Sequence, residues 1–416
     1  MRKKGQSILA KCALAGLGGS FSLSAWAGQL VINSNQSDPA PKAAFSALIK
    51  KFEQENPDIK VSYNEYDHEA YKTALRNWLS TSPPDVVYWF AGNRMKEFVA
   101  RGLFEDVSDL WQKQGLDTAM SQVKSVMTID GKQWGIPYTY YQWGVYYRKD
   151  LFEKNALKEP KTWDEFLAAC KKLKESGLTP IAIGTKFPWT AAGWFDYLNM
   201  RTNGHDFHMQ LMEGKVAYTD PRVKKVFERW RQLVEPGYFL ANHPSYSWQE
   251  ALPFLLNGKA AMYLIGNFAA ANFGDKKDLM GFFPFPNLDP AVAAAEDAPT
   301  DSIHIPARAK NKADARKFLA FMARPEIQTE LNMQLGQIPP HRDAKTKDDP
   351  FLMAGSTLLR NAKFTAQFYD RDTGPDIAKE GMKGFQEFMV KPERLDKILS
   401  QLDTAQKQAQ GGKRLF

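Results

Sequence analysis

Residues 28–63 read GQLVINSNQSDPAPKAAFSALIKKFEQENPDIKVSY. Leu30-Val31-Ile32 is a short apolar run, and the polar loop 33–38 follows it. Phe45, Leu48, Ile49 and Phe52 then recur at i, i+3, i+4 and i+7, the spacing of a helix that buries one face. Pro41 suits the first turn of that helix, and Asn56-Pro57 ends it. Beyond the break, Ile59, Val61 and Tyr63 alternate as a strand does. Strand, helix and strand in this order make a βαβ unit, the building block of a parallel sheet, and place the chain in the α/β class.

The pattern continues outward. Residues 71–79 read as a helix, Ser82-Pro83-Pro84 as a break, and 85–90 as a buried strand. Met95, Phe98 and Val99 face inward on a helix closed by Gly102. A second α/β region starts near residue 145. Thr162 and Glu165 have the spacing of a capping box, ahead of a helix with Phe166, Leu167, Cys170 and Leu173 on one face. Gly177 closes that helix, and 181–183 is the next strand. Asp220-Pro221 opens another helix, with Val223, Val226, Phe227, Trp230 and Leu233 inward. Ala315, Phe318, Leu319 and Met322 mark a late helix, broken at Arg324-Pro325. A chain of 416 residues exceeds one simple core, and domains of roughly 100–200 residues imply two or three lobes.

The N-terminus carries a separate signal. Arg2, Lys3 and Lys4 form a positive region, residues 12–23 are apolar and small, and Ala25-Trp26-Ala27 fits a signal peptidase site. Residues 1–27 therefore read as a secretory signal peptide rather than a membrane anchor, since the apolar part is too short to span a bilayer. Lys11 before Cys12 argues against lipidation. Cys170 is then the one cysteine of the mature chain, a core thiol with no internal disulfide and no cysteine-based zinc site. The formal charge of +8 loses the four positive charges of Arg2, Lys3, Lys4 and Lys11, leaving +4. Basic residues are scattered, and no basic stripe or RNA-binding motif accompanies them, so nucleic acid is excluded as a partner.

Motifs of catalysis are missing. No G-x-S-x-G elbow, H-E-x-x-H helix or phosphate loop occurs. His205 and His208 are close together and the other histidines are dispersed, so no metal and no cofactor is expected. Aromatic residues carry the information: they make up 13% of the chain, with 11 tryptophans. Trp89, Trp143, Trp189, Trp194 and Trp248 sit beside Gly, Pro or amide residues rather than on helical core faces. Such residues suit a sugar, whose C–H face lies on an aromatic plate while Asp, Asn, Gln or Arg side chains take its hydroxyls.

Landmark segments then appear in a familiar order: FSALIKKFEQENP (45–57), PPDVVYWFAG (83–92), GLFEDVSDL (102–110), GIPYTYYQWGVYYRKDLFEKNAL (135–157), PKTWDEFLAACKKL (160–173), FLLNGKAAMYLIGNF (254–268) and IPARAKNKADARKFLAFM (305–322). This ordered set resembles the extracellular (periplasmic) solute-binding proteins, family 1, of carbohydrate ABC importers, the large class that includes maltose-binding protein. The resemblance implies a two-lobed periplasmic-binding-protein fold, type II-like, each lobe a sheet flanked by helices with the ligand cleft between them. It implies an N-terminal lobe of 28–141 with 304–338 and a C-terminal lobe of 145–300 with 342–416. It implies a periplasmic monomer that binds a sugar or oligosaccharide and delivers it to the permease subunits of the inner membrane, without catalysis.

Carried onto this sequence, the family's cleft residues fall as follows. The first lobe offers Asn35 and Gln36 after the first strand, Asp67 after the second and Trp89 at the end of the third. The crossover offers Tyr141 and Trp143. The second lobe offers Trp194, Asp196, Trp248 and Asn267, the return crossing Asp301, and the late segment FYDR (368–371) Asp370 and Arg371. Other ligands fit the same fold. Adjacent Tyr140 and Tyr141 resemble a ferric-iron site, and an acidic aromatic cleft would take a polyamine. A reading from another class is a periplasmic carbohydrate-active enzyme.

Overall fold

The structure is a computed structural model that describes residues 28–412. The segment read as a signal peptide, 1–27, lies outside the described residues. Strand β1 (Gly28–Ser34) leads into helix α1 (Pro39–Glu55), and β2 (Ile59–Glu65) and α2 (His68–Ser80) follow. Phe45, Leu48, Ile49 and Phe52 are the buried face of α1, as their spacing requires. β1 runs to Ser34, two residues past its apolar run, because Asn33 and Ser34 still pair in register with Asn64 and Glu65 of β2.

After β3 (Val86–Phe90) come α3 (Asn93–Ala100), β4 (Ile136–Tyr140) and β5 (Trp143–Arg148). The helix α4 (Trp163–Glu175) starts with the Thr162/Glu165 capping box and buries Phe166, Cys170 and Leu173. Burial pushes the Cys170 thiol far up, so it stays protonated and packs as a small apolar group. The strand expected at 181–183 is β6 (Thr179–Ile181), although Ala182 still donates to the Met262 carbonyl. Then come α5 (Trp189–Asn203), α6 (His205–Met212), α7 (Pro221–Val234), α8 (Trp248–Leu256), β7 (Ala260–Gly266), β8 (Met280–Phe283), β9 (Ala295–Asp297) and β10 (Thr300–His304). The chain ends with α9 (Lys312–Met322), α10 (Pro325–Leu335), α11 (Pro350–Asn361), β11 (Phe364–Ala366), the short α12 (Tyr369–Asp372) and α13 (Pro375–Val390), and a last helix, Leu395–Gly412.

Two sheets organise two cores. The first has the order β2-β1-β3-β10-β4, with β10 antiparallel to both neighbours. The second has the order β8-β5-β7-β6. Leu30 through Tyr138, with Ile303 through Leu335, supply one core, and Tyr141 through Ala295, with Phe351 through Leu402, supply the other. The chain passes between them beside Tyr141 and beside Pro299, where the Tyr141 amide donates to the Pro299 carbonyl, and again after Ile338, whose amide pairs with Tyr140. Three crossings lying side by side leave the two sheets free to face each other across a cleft.

Candidate functional site

Between the sheets lies a cavity of about 560 Å³. Its walls come from strand ends and helix starts, where the chain leaves regular structure and side chains are free to converge. The first sheet contributes Asn35 and Gln36 after β1, Asp67 and His68 at the start of α2, Phe90 at the end of β3 and Tyr138 on β4. The second contributes Trp143 at the start of β5, Trp189 and Trp248 at the starts of α5 and α8, and Phe268 after β7. Tyr141, Asp301, Asp370 and Arg371 complete the floor.

The aromatic side is one cluster centred on Phe268. Its ring lies 5.1 Å from Trp248, 5.5 Å from Tyr141, 6.0 Å from Trp189 and 6.2 Å from Trp143, all near edge-to-face. Trp143 lies against Phe368 at 4.7 Å. Trp143 is almost wholly buried although it lines the cavity, and its indole Nε1 has no hydrogen-bond partner, nor has the amide Nδ2 of Asn35. Buried donors without acceptors are costly, and both belong to residues in the wall of this cavity.

Two glycines make room for the Trp143 indole. A Cβ on Gly193 of α5 would lie 2.7 Å from Trp143 Cζ3, and one on Gly266 of β7 would lie 2.9 Å from its Nε1. Gly193→Ala is therefore expected to lower stability by about 1–3 kcal/mol through overpacking and to shift the tryptophan emission. Gly374→Ala, whose Cβ meets nothing within 4 Å, should leave both nearly unchanged. Urea denaturation followed by fluorescence checks the pair.

The polar side is built on Arg371. Its guanidinium lies 2.9 Å from Asp301, donates to the Thr300 carbonyl at 3.0 Å and to the Tyr141 hydroxyl at 3.3 Å, and sits over the Phe90 ring at 4.2 Å. Burial pulls the Arg371 pKa down, but Tyr141, Asp301 and Asp370 outweigh it, so the group is held firmly cationic. Burial raises the Asp301 carboxyl above its ordinary value, and Arg371 opposes that rise. His68 is pushed down to about 3, first by desolvation and then by Lys72 and Arg371, so it is neutral at neutral pH. Gln36 donates to the Tyr138 hydroxyl at 2.9 Å and to Asn35 Oδ1 at 3.2 Å. At the lips, Trp189 Nε1 donates to Glu69 at 3.2 Å and Gln249 donates to Asp38 at 3.3 Å, so the two sides touch across the opening.

Of the residues expected from the sequence, Asn35, Gln36, Asp67, Tyr141, Trp143, Trp248, Asp301, Asp370 and Arg371 line this cavity. Trp89, Trp194, Asp196 and Asn267 do not. Trp89 points into the first core, donates to the Arg94 carbonyl and packs on Phe98; its strand neighbour Phe90 faces the cavity, since successive strand residues take opposite sides. Trp194 packs among Phe166, Phe239 and Phe285. Asp196 is fully buried and accepts the Tyr369 amide. Asn267 accepts from the Tyr146 hydroxyl and donates to the Gly336 carbonyl, while Phe268 beside it faces the cavity. The sequence reading missed Phe90, Tyr138 and Phe268 as wall residues, and it named Trp189, beside Pro188, among the tryptophans suited to a sugar without assigning it to the cleft.

Adjacent Tyr140 and Tyr141 do not converge: the Tyr140 hydroxyl donates to Gln122 while Tyr141 lines the cavity. Among the described residues, no group of three or more His, Cys, Asp or Glu side chains is placed to hold a metal ion.

Comparison with known proteins adds the family. The family model described as bacterial extracellular solute-binding protein matches residues 36–329. An uncharacterized ABC transporter extracellular-binding protein of Pyrococcus horikoshii is 30% identical over 321 residues, 74% of this chain and 70% of that protein. A multiple sugar-binding protein of Streptococcus mutans is 26% identical over 67% of this chain and 68% of its own length. Among solved structures, the bacterial solute receptor AcbH, described as having an exclusive preference for β-D-galactopyranose, is similar with a TM-score of 0.87 at 32% identity, covering 92% of this chain and 99% of that one. A chitin oligosaccharide binding protein shares the fold with a TM-score of 0.83 at 21% identity, covering 91% of this chain and 98% of its own. With its two α/β lobes, its interlobe cavity and a family match over most of its length, the chain belongs to the bacterial extracellular solute-binding protein family.

Proposed function

We propose that the protein captures a sugar, as a monosaccharide or short oligosaccharide, between its lobes in the periplasm and delivers it to the permease of an ABC importer. The observation that carries this reading is the pairing of an aromatic plate, centred on Phe268, with a facing rim of Asn35, Gln36, Asp301, Asp370 and Arg371. A pyranose needs both: an apolar face for its C–H bonds and oriented polar groups for its hydroxyls. Asn35, Gln36, Asp67, Tyr141, Trp143, Trp248, Asp301, Asp370 and Arg371 are the contacts we assign to it. The sugar-binding descriptions of AcbH and of the Streptococcus relative support this choice.

The two cores support the division into lobes of 28–141 with 304–338 and 145–300 with 342–416, and the register of β10 on β3 supports moving one border from 304 to 300. A polyamine would need carboxylates free to pair with it, and four of the six acids on the wall already face a cation, Asp301 with Arg371, Asp370 with Arg94, Glu69 with Lys72 and Glu250 with Lys186, while Asp67 holds the first amides of α2 and Asp38 accepts from Gln249. The carrier acts as a monomer, without nucleic acid and without turnover of its ligand.

A thermal-shift panel of D-galactose, other monosaccharides and oligosaccharides, with spermidine and ferric citrate beside them, tests the reading. A sugar should raise the melting temperature and change the tryptophan emission, with no product formed on long incubation. Stabilisation by spermidine or iron alone, or release of product, would overturn it. Export is tested by N-terminal sequencing of periplasmic material, which should begin at Gly28; Met1, or a lipid on Cys12, would refute the cleavage.

A further inference from the structure

Beneath the cavity wall lies a group of buried carboxylates that the sugar-binding reading does not use. Asp196 on α5 is wholly buried, and its Oδ2 accepts the backbone amide of Tyr369 at 2.6 Å. Asp372, at the end of α12, is also buried, and its Oδ2 accepts the amides of Gln367 at 2.7 Å and Phe368 at 3.3 Å. Three consecutive amides, 367 to 369, are therefore held by two carboxylates. Phe368, in the middle, has φ at 135°, in the region that glycine favours and other residues rarely adopt. The same segment faces the ligand space: Phe368 packs on Trp143, and Asp370 and Arg371 line the cavity.

We propose that Asp196 and Asp372 are positioning residues of the binding site, holding the strained segment 367–371 in the shape that turns Phe368, Asp370 and Arg371 into the cavity. This rests on the sugar-binding reading above. The strain at Phe368 persists because the surroundings over-determine it, and the carboxylate bonds to its amide and to both neighbouring amides are the surroundings that do so. A second tether comes from the first lobe. Asn93 donates to the Asp372 carbonyl and Arg94 pairs with Asp370 at 3.2 Å, so closure of the lobes engages a segment already in shape.

The charges around Asp372 come from every element packed on it. α5 presents Asp196 and Arg201, and α6 presents His205 and His208, the latter 3.7 Å from Asp196. β9 presents Glu296, paired with Arg201, and Asp297, whose two oxygens have no partner. From its own segment come Asp370 and Arg371, and from α3 Arg94. Burial first, and then repulsion from neighbouring carboxyls, raises Asp196 and Asp297 well above the ordinary carboxyl value: Asp297 and Asp372 act on Asp196, and Asp372 and Glu296 act on Asp297. Burial pushes Asp372 up to about 6, while the amide bonds from Gln367 and Phe368 pull it down. The ionised form is the stronger acceptor for those amides, so sugar affinity should fall as pH is lowered through this value.

The test compares wild type with Asp372→Ala, Asp372→Asn and Asp196→Ala in the mature chain. Hydrogen exchange without sugar should show amides 367 and 368 exchanging at least about tenfold faster in Asp372→Ala, with the β7 amides unchanged. Asp372→Asn, which keeps an acceptor oxygen, should stay near wild type. With D-galactose as probe, Asp372→Ala should bind about tenfold more weakly. Asp372→Asn, uncharged at every pH, should bind a few-fold more weakly than wild type at neutral pH, as weakly as wild type with Asp372 protonated, and its affinity should no longer fall as pH is lowered through about 6. Unchanged exchange in Asp372→Ala, or faster exchange with unchanged galactose affinity, would overturn the proposal, as would a pH profile in Asp372→Asn identical to wild type. Should Asp372→Ala not fold, amide 369 in Asp196→Ala, which removes its acceptor, and the pH profile of Asp372→Asn decide it. Should D-galactose not bind wild type, the panel sugar with the largest thermal shift replaces it as probe; should no sugar bind, the sugar reading fails, and the exchange of amides 367–369 still decides the clamp.

Discussion

Arg371→Met is expected to destabilise the protein by about 3–5 kcal/mol, because it breaks a buried ion pair from one side. Asp301 would keep its place at 9% exposure with its cation, 2.9 Å away, removed. The Thr300 carbonyl and the Tyr141 hydroxyl would lose a donor in the same step. The deficit depends on pH in a definite direction. Burial already raises the Asp301 carboxyl with Arg371 present, and removing Arg371 raises it further. Stability tied to a raised carboxyl is present below its unfolded value and is lost as pH rises through the folded one. Urea midpoints should therefore show a larger deficit at about pH 7.5 than at about pH 5, and the double variant Arg371→Met with Asp301→Asn should recover much of it. A deficit independent of pH would show that Asp301 does not carry it. Sugar binding should be lost in the single variant, since a charged donor at the cavity floor is gone.

Trp230→Ala is expected to cost a similar amount, about 3–5 kcal/mol, by leaving a cavity in a packed core. Trp230 sits on α7 with no exposed surface, against Phe227, Phe385 and Phe388. Trp248→Ala offers the contrast. Its ring meets Phe268 on one side and the cavity on the other, so its loss removes one wall of a space that is already open. It should weaken sugar binding by about 1–3 kcal/mol and lower stability far less than Trp230→Ala. Calorimetric titration and urea denaturation on the two variants separate the effects. Equal stability losses, with affinity unchanged in folded Trp248→Ala, would place Trp248 in the core.

Periodicity along the chain was a sound guide where burial is one-sided. The α1 face of Phe45, Leu48, Ile49 and Phe52, the inward face of α7, the Thr162/Glu165 cap and the core position of Cys170 all follow from local spacing. Each depends on residues within a turn or two of one another, where geometry is fixed by the helix itself. The α/β class showed in the local βαβ order, whereas the two lobes, the cleft and the family came from the resemblance that the ordered landmark segments carry.

Nine of the thirteen expected site residues line the cavity, and at two of the other four the reading fell one residue short. Trp89 and Asn267 were the expected wall residues, and their chain neighbours Phe90 and Phe268 are the ones that face the cavity. At a strand end the backbone offers two opposite sides, and nothing in the local sequence says which side is the cleft. Asp196 was legible as a significant polar residue, but its role under the wall depends on Tyr369, 173 positions away. By itself the sequence determined the α/β class, the two-lobed plan, the helix faces and the types of residue from which the cleft is built. Tertiary structure alone decided which side of each strand end faces the cavity, that Gly193 and Gly266 must be small beneath Trp143, and that Asp196 is buried against the Tyr369 amide instead of lining the cavity. The reason is physical: helix periodicity is set by bonds between near neighbours, whereas a cavity wall is set by which distant segments happen to meet across it.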